Sequence, residues 1–152
     1  MLTWEPLNGR SGHDVGRELL KQAYREKTGQ DCPEIQTTER GKPYFVGSSL
    51  HFSISHTRNH AFCALSDVCV GIDAEEKDRD INLKLAEKIL SPAEKLRFDG
   101  SPQALLRFWV LKEAAAKLSG EGLRGYPNHT DFSPYDPRVT EIDGCYVAVI
   151  TD

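Results

Sequence analysis

Residues 68–76 read Val-Cys-Val-Gly-Ile-Asp-Ala-Glu-Glu. The run from 68 to 72 has the length and β-branched content of a buried strand, and Ser66-Asp67 just before it is a turn signal. In an extended chain alternate side chains share a face. Asp73 and Glu75 therefore project the same way, about 6.6 Å apart along the strand. Such a pair suits two oxygen ligands converging on one hard cation, since Mg²⁺ is commonly held by one or two carboxylates with waters and substrate phosphates completing its shell. Glu76 faces the other side and is expected in solvent. The bland alternative is a strand end running into the charged loop of residues 75–80.

The flanking segments extend this strand into a fold. Residues 61–65 (AFCAL) read as a second strand beside it. In residues 50–57 (LHFSISHT), Leu50, Phe52 and Ile54 alternate with His51, Ser53 and Ser55, the period of a half-buried strand. LTWEPL at the start is a further short strand. Between Asp14 and Lys27 the apolar residues Val15, Leu19, Leu20, Ala23 and Tyr24 recur at helical spacing, and Gly29 is a stop. Residues 30–50 are expected to be irregular, punctuated by Pro33, Gly41, Pro43 and Gly47. Downstream, residues 81–90 carry Leu85, Ala86, Ile89 and Leu90 on one stripe. Ser91-Pro92-Ala93-Glu94 has the capping-box form, and Ser101-Pro102 opens the longest helix, about 102–118, ended by Gly120 and Gly122. YVAVITD is the last strand. HAFCALSD (60–67) and CYVAVITD (145–152) share a pattern, a weak internal echo.

The longest helix carries the next chemical signal. Glu113 and Lys117 are four apart and share a face, with Trp109 and Ala116 on the same side and Lys112 at its border. An exposed i,i+4 ion pair would be worth only ~0.3–0.5 kcal/mol. But the helix is apolar nearly all round, and such a helix is buried. Its charges then need partners, which an anionic ligand and its metal would supply. In Gly41-Lys42-Pro43 the proline restricts the residue before it, so Lys42 sits in a rigid turn. Ser53, Ser55 and His56 form a polar cluster. Ser55 and His56 point to opposite faces and cannot make a nucleophile–base pair, so a phosphate-donor cluster fits better.

Composition narrows the function classes. The chain has 152 residues, enough for one domain with its own core. Lys plus Arg total 19 against 23 Asp plus Glu, a formal charge of -4, which is not the footprint of a general nucleic-acid binder. No apolar run approaches the ~20 residues that span a bilayer. The N-terminus lacks a secretory pattern, so a cytoplasmic address is expected. Cys32, Cys63, Cys69 and Cys145 show no C-x-x-C spacing and no zinc-like cluster with the five histidines. A thiol metal site is not expected, and Cys63 and Cys69 read as small buried hydrophobes.

The ordered set GKP (41–43), SISHT (53–57), GIDAE (71–75) and WVLKEAAAK (109–117) resembles the 4'-phosphopantetheinyl transferase superfamily, in the surfactin-synthetase-activating type. The resemblance covers about residues 13–152. It implies an α+β fold in which two α/β-type halves form a pseudo-dimer within one chain. That is one domain over 1–152, with a reduced N-terminal half at 1–67 and a C-terminal half at 68–152 carrying the metal site. It implies Mg²⁺-dependent transfer of 4'-phosphopantetheine from coenzyme A to a serine of an apo acyl or peptidyl carrier protein, releasing adenosine 3',5'-bisphosphate. Such chemistry serves fatty-acid, polyketide or nonribosomal-peptide biosynthesis. Carried over by motif, Asp73, Glu75 and Glu113 would hold the metal, and Glu113 would be the base. Asp73, Glu113 and Lys117 form the catalytic set. Lys117 and Lys112 would meet the pyrophosphate. Lys42 and Pro43, with Ser55 and His56, would meet the nucleotide phosphates, His56 taking the 3'-phosphate. Residues 53–57 begin with Ser53 where the family usually has Asn. A segment of about thirty residues that contributes basic side chains in relatives is not matched, and the family's arginine before the first helix has three candidates, Arg10, His13 and Arg17. The partner implied is an acidic carrier, docking on the helix at 81–90 near Lys84, Lys88, Lys95 and Arg97. Nucleic acid and membrane are not expected partners, and the state is monomer or homodimer. The alternative is a non-catalytic coenzyme A or nucleotide-binding module.

Overall fold

In the computed structural model, which describes residues 1–122 and 130–152, the apolar runs at 61–65 and near the C-terminus become the middle strands of two small antiparallel sheets, and the run at 68–72 an edge strand of the second. The first sheet has the order β1-β5-β4, from β1 (Leu2–Pro6), β4 (His51–His56) and β5 (His60–Ser66). The second has the order β6-β8-β7, from β6 (Val70–Glu76), β7 (Val139–Ile142) and β8 (Cys145–Thr151). A two-stranded ribbon, β2 (Ile35–Thr37) with β3 (Pro43–Phe45), lies in the stretch expected to be irregular. Three-residue strands are too short to register as alternation, which is why the pattern misses them. β7 was likewise not expected. Strands β5 and β6 follow one another but are not hydrogen-bonded neighbours. β5 pairs with β1 and β4, and β6 pairs with β8, Asp73 opposite Ala148.

Each sheet carries one long helix. α1 (Gly12–Thr28) is capped by Ser11, whose hydroxyl accepts from the Asp14 amide at 3.4 Å, and closes on Gly29 at φ 72. It buries Val15, Leu19, Leu20, Ala23 and Tyr24 against Phe45, Phe52, Cys63 and Leu65. α4 (Pro102–Ser119) is capped by Ser101 and ended by Gly120 at φ 72. Leu105, Leu106, Phe108, Val110, Leu111 and Ala114 are all buried, as an apolar circumference requires. Each is worth roughly 1.5–3 kcal/mol of transfer energy when fully sequestered, alanine less. Between α4 and β6 stand α2 (Ala86–Ile89), after a 3-10 turn at Leu83–Leu85, and α3 (Pro92–Arg97). The single helix expected at 81–90 is thus divided, because Asn82 caps the 3-10 turn by accepting from the Lys84 amide. The capping box at Ser91 and Glu94 is formed as the sequence expects.

A third apolar cluster joins the sheets: Phe62 and Ala64 of β5, Val70, Ile72 and Ala74 of β6, and Cys145 and Val147 of β8. Strands β5 and β8 are therefore covered on both faces, which explains their shared unbroken hydrophobicity. Along this seam β4 runs beside β6, and side chains replace the backbone ladder. Ser53 Oγ accepts from the Ile72 amide at 3.1 Å and Ser55 Oγ from the Ala74 amide at 3.2 Å. On the other face of β6, Gly71 admits the backbone of α4. A Cβ there would lie 2.6 Å from the Leu118 nitrogen and closer still to the Ala114 carbonyl oxygen. Among the described residues, no helix is long and apolar enough to cross a membrane.

Candidate functional site

The close approach at Gly71 puts the end of β6 under the last two turns of α4. Asp73, buried, accepts from Lys117 Nζ at 2.7 Å and from Ser55 Oγ at 3.2 Å on the same Oδ1. Glu75 is held by Arg79, four residues on, and by the Trp109 side chain, whose ring lies 5.7 Å from the Arg79 guanidinium. Glu113 stands between these two groups, half-buried. Burial first, then the charge of Asp73, and Glu75 more weakly, raise its carboxyl to about 7 against the pull of Lys117 and Arg79. Burial also raises Asp73 and Glu75, opposed by Lys117 and Arg79 respectively. Three carboxylates thus share one poorly solvated corner with two cations.

Glu113 and Lys117 also line a cavity of about 380 Å³ closed by α1, the β2–β3 loop and β4. Its wall carries His13 and Arg17 from one face of α1, Arg40, Lys42 and Pro43 from the loop, and His56 from β4. Four of these side chains, counting Lys117, are cationic; Glu113 is the single carboxylate among the lining residues. The wall therefore favours an anion. The loop is tight. The Gly41 amide donates to the Thr38 carbonyl at 2.8 Å, and the Lys42 ammonium donates to the Leu118 carbonyl near the end of α4. His56 packs its ring on Gly12, where a Cβ would come within 2.8 Å of Nδ1.

The structure brings Asp73, Glu75, Glu113 and Lys117 to one corner, and Lys42, Pro43 and His56 to the adjoining cavity. Three expectations are corrected. Lys112 does not face this corner: its ammonium is buried, 2.8 Å from Glu94 Oε2 and 2.9 Å from the Thr130 carbonyl. One residue along a helix turns the side chain by about 100°, and on that side lies α3, whose fully buried cap Glu94 requires a counter-charge. Ser55 is not a free phosphate donor either. Its hydroxyl is engaged between Asp73 and the Ala74 amide, and with buried Ser53 it serves the seam. Glu76, expected in solvent, is buried and accepts from Thr57 Oγ1 at 2.7 Å and the Asn59 amide at 3.1 Å. Sequence reasoning missed Arg79 and Arg40. The charged run 75–80 held Arg79 at helical spacing from Glu75, but that run reads as a solvated loop. Of the three candidates for the family's arginine, His13 and Arg17, both in the first turns of α1, reach the cavity, while Arg10 is tied to Glu5 at 2.7 Å and Glu18 at 2.9 Å.

Among the described residues, the one set of three whose metal-ligating atoms all lie within 4.8 Å of one another is His60, Glu76 and Cys145. The carboxylates of Asp73, Glu75 and Glu113 do not meet that spacing; Asp73 is paired with Lys117 and Glu75 with Arg79.

The model of the 4'-phosphopantetheinyl transferase superfamily matches residues 69–145, from the start of the second sheet into its last strand. The chain is 34% identical over 94 residues to the 4'-phosphopantetheinyl transferase gsp of Aneurinibacillus migulanus, covering 59% of this chain and 39% of that one. It is 30% identical over 117 residues to a 4'-phosphopantetheinyl transferase of Bacillus subtilis, covering 72% and 52%. It is 34% identical over 122 residues to the 4'-phosphopantetheinyl transferase HetI of a Nostoc strain, again covering 72% and 52%. The chain spans about half the length of the curated relatives it matches, and less for the first.

Proposed function

The chain belongs to the 4'-phosphopantetheinyl transferase superfamily, and from that premise we propose that it transfers 4'-phosphopantetheine from coenzyme A to a serine of an apo carrier protein, releasing adenosine 3',5'-bisphosphate. The observation that carries this reading is the placement of Glu113 and Lys117 on one helical face. There they line a cationic cavity and reach, through the 2.7 Å Lys117–Asp73 contact, a corner of three carboxylates. The pseudo-dimeric arrangement of the family is supported by two helix-on-sheet units meeting across a shared apolar seam.

The donor set fits a hard divalent cation. It is oxygen-only, and the burial and acidic neighbours that raise Glu113 to about 7 disfavour a carboxylate charge that such an ion would compensate. Asp73, Glu75 and Glu113 would hold Mg²⁺, which supplies charge neutralisation at a diphosphate and steadies its leaving oxygen. The remaining chemistry is positioning and electrostatics. Lys117 sets a point charge at the cavity edge. Arg17, Lys42 and His13 surround the space for nucleotide phosphates, and His56, on the rim beside Gly12, takes the 3'-phosphate. Glu113 accepts the proton of the incoming serine hydroxyl. The acidic carrier docks beside Lys84 and Lys88, which are exposed and form no ion pair among the described residues. Lys95 and Arg97, in contrast, are engaged by Glu87 and the Phe132 carbonyl. The reading goes with a soluble compartment and with a monomer or homodimer.

The test is incubation with coenzyme A, MgCl₂ and a panel of apo carriers from fatty-acid, polyketide and peptide synthesis, with intact-mass readout. One phosphopantetheine added to at least one carrier is the expected result. Binding of coenzyme A in calorimetry with no transfer to any carrier would leave only the non-catalytic binding module.

A further inference from the structure

A second ligand cluster lies across the seam from the carboxylate corner. His60 opens β5, Glu76 closes β6 and Cys145 opens β8, so three strands from two sheets each end at the same point. All three side chains are buried. His60 Nδ1 lies 3.5 Å from Glu76 Oε1 and 3.5 Å from Cys145 Sγ, and the three atoms are all within 4.8 Å of one another. In a tetrahedral zinc site, with Zn–N of about 2.0–2.1 Å and Zn–S of about 2.3 Å, neighbouring N and S ligands stand about 3.5 Å apart, and N and O about 3.4 Å apart. The His60–Cys145 spacing matches its edge, and the Glu76 carboxylate stands within reach of both.

The surroundings complete the pattern. His60 Nε2 lies 2.8 Å from Asp143 Oδ2; an Nε2–H donating there would turn the Nδ1 lone pair towards Glu76 and Cys145. Asp143 is held there by the Asp143-Gly144 turn, whose residues have φ 43 and 77, the positive values a type I′ hairpin requires. Glu76 is fixed in turn by Thr57 and the Asn59 amide. Both bonds fall on Oε1, so the lone pairs of Oε2 are the ones the carboxylate would turn to a metal.

We propose that His60, Glu76 and Cys145 form a structural transition-metal site, with Asp143 orienting the histidine. The mixed nitrogen, sulfur and oxygen set selects a borderline ion such as Zn²⁺ over Mg²⁺. Binding joins the Cys145 sulfur to the metal as thiolate and releases the thiol proton to solvent. The ion pins the middle strand of the first sheet to β6 and β8 of the second. β6 also carries Asp73 and Glu75, so the site braces the strand that presents them. No part of this rests on the transferase reading.

The experiment uses the full chain, stripped with a chelator and titrated with Zn²⁺ alone, followed by elemental analysis after gel filtration. One equivalent retained per chain, with a raised Tm, is expected. Co²⁺ in place of Zn²⁺ should give a thiolate-to-cobalt charge-transfer band and tetrahedral ligand-field absorption. Cys145→Ser, nearly isosteric, should abolish the band. Asp143→Asn, on an exposed turn, should weaken binding about 10–100-fold. Asp73→Asn combined with Glu113→Gln should leave it unchanged. Failure of the wild-type chain to retain zinc or to develop the band, or zinc retention lost with Asp73 and Glu113 but kept without Cys145, would overturn the proposal and leave the cluster a hydrogen-bonded clamp.

Discussion

Gly71 of β6 sits directly under the Ala114 carbonyl of α4, with no room for a side chain between them. This contact sets the depth at which the helix lies on the strand. Asp73 is two residues on from Gly71, and Lys117 one turn on from Ala114, so the 2.7 Å bond between them follows from the backbone approach. Gly71→Ala should therefore displace α4 from β6. Overpacking a well-filled core costs about 1–3 kcal/mol, and backbone atoms on the far side cannot yield as a side chain can. The expected outcome is a loss in that range or larger in urea denaturation, together with loss of transfer. Unchanged stability would show that the helix is free to move outward.

Lys112 and Glu94 form a buried pair at 2.8 Å, away from the cavity. Removing one partner of such a pair typically costs 3–5 kcal/mol, because the other charge is left buried. Lys112→Met should lower stability by about that amount. Coenzyme A affinity, measured by calorimetry at a temperature where the variant is folded, should stay within a factor of about two. A large selective loss of affinity would return Lys112 to the phosphate site.

Glu113 has a carboxyl raised by burial and by its acidic neighbours to about 7. An acid whose folded pKa is raised is favoured in its protonated form. Its contribution to stability is full below the unfolded value near 4.5 and is lost as pH rises through about 7. Glu113→Gln, which cannot ionise, should equal the wild type in Tm at pH 4.5 and exceed it at pH 8 in chelator. Added MgCl₂ at pH 8 should raise the wild-type Tm and leave Glu113→Gln little changed. Transfer by Glu113→Gln or Asp73→Asn should fall below detection.

Arg17 and His13 face the cavity, whereas Arg10 is committed to Glu5 and Glu18. A hydrogen bond to a charged group is worth about 1.5–3 kcal/mol, so Arg17→Ala should weaken coenzyme A binding about tenfold or more. Arg10→Ala should not weaken it measurably. Dephospho-coenzyme A, lacking the 3'-phosphate, should lose its sensitivity to His56→Ala if His56 meets that group. Equal sensitivity of both ligands would reassign His56.

The local sequence determined a good part of this molecule. Alternation and helical period set β1, α1, β4, β5, α4 and β8. Serine caps and terminal glycines marked both long helices, because those signals act between residues within one turn. The i,i+4 spacing of Glu113 and Lys117 and the i,i+2 spacing of Asp73 and Glu75 placed each pair on one face for the same reason. What only the tertiary structure decided were the matters of distance between remote residues. Lys112 and Glu113 are neighbours on the chain, yet one is directed to the buried cap of α3 and the other to the cavity, and nothing local distinguishes them. Ser53 and Ser55 look like a free polar strand face until β6 is laid beside β4. His60 and Cys145 are 85 residues apart with no metal-ligand spacing, and they meet because each is the first residue of the middle strand of its sheet. Strand order and the packing of one sheet on another create such contacts, and hydrophobic periodicity carries no information about which strand will be the neighbour.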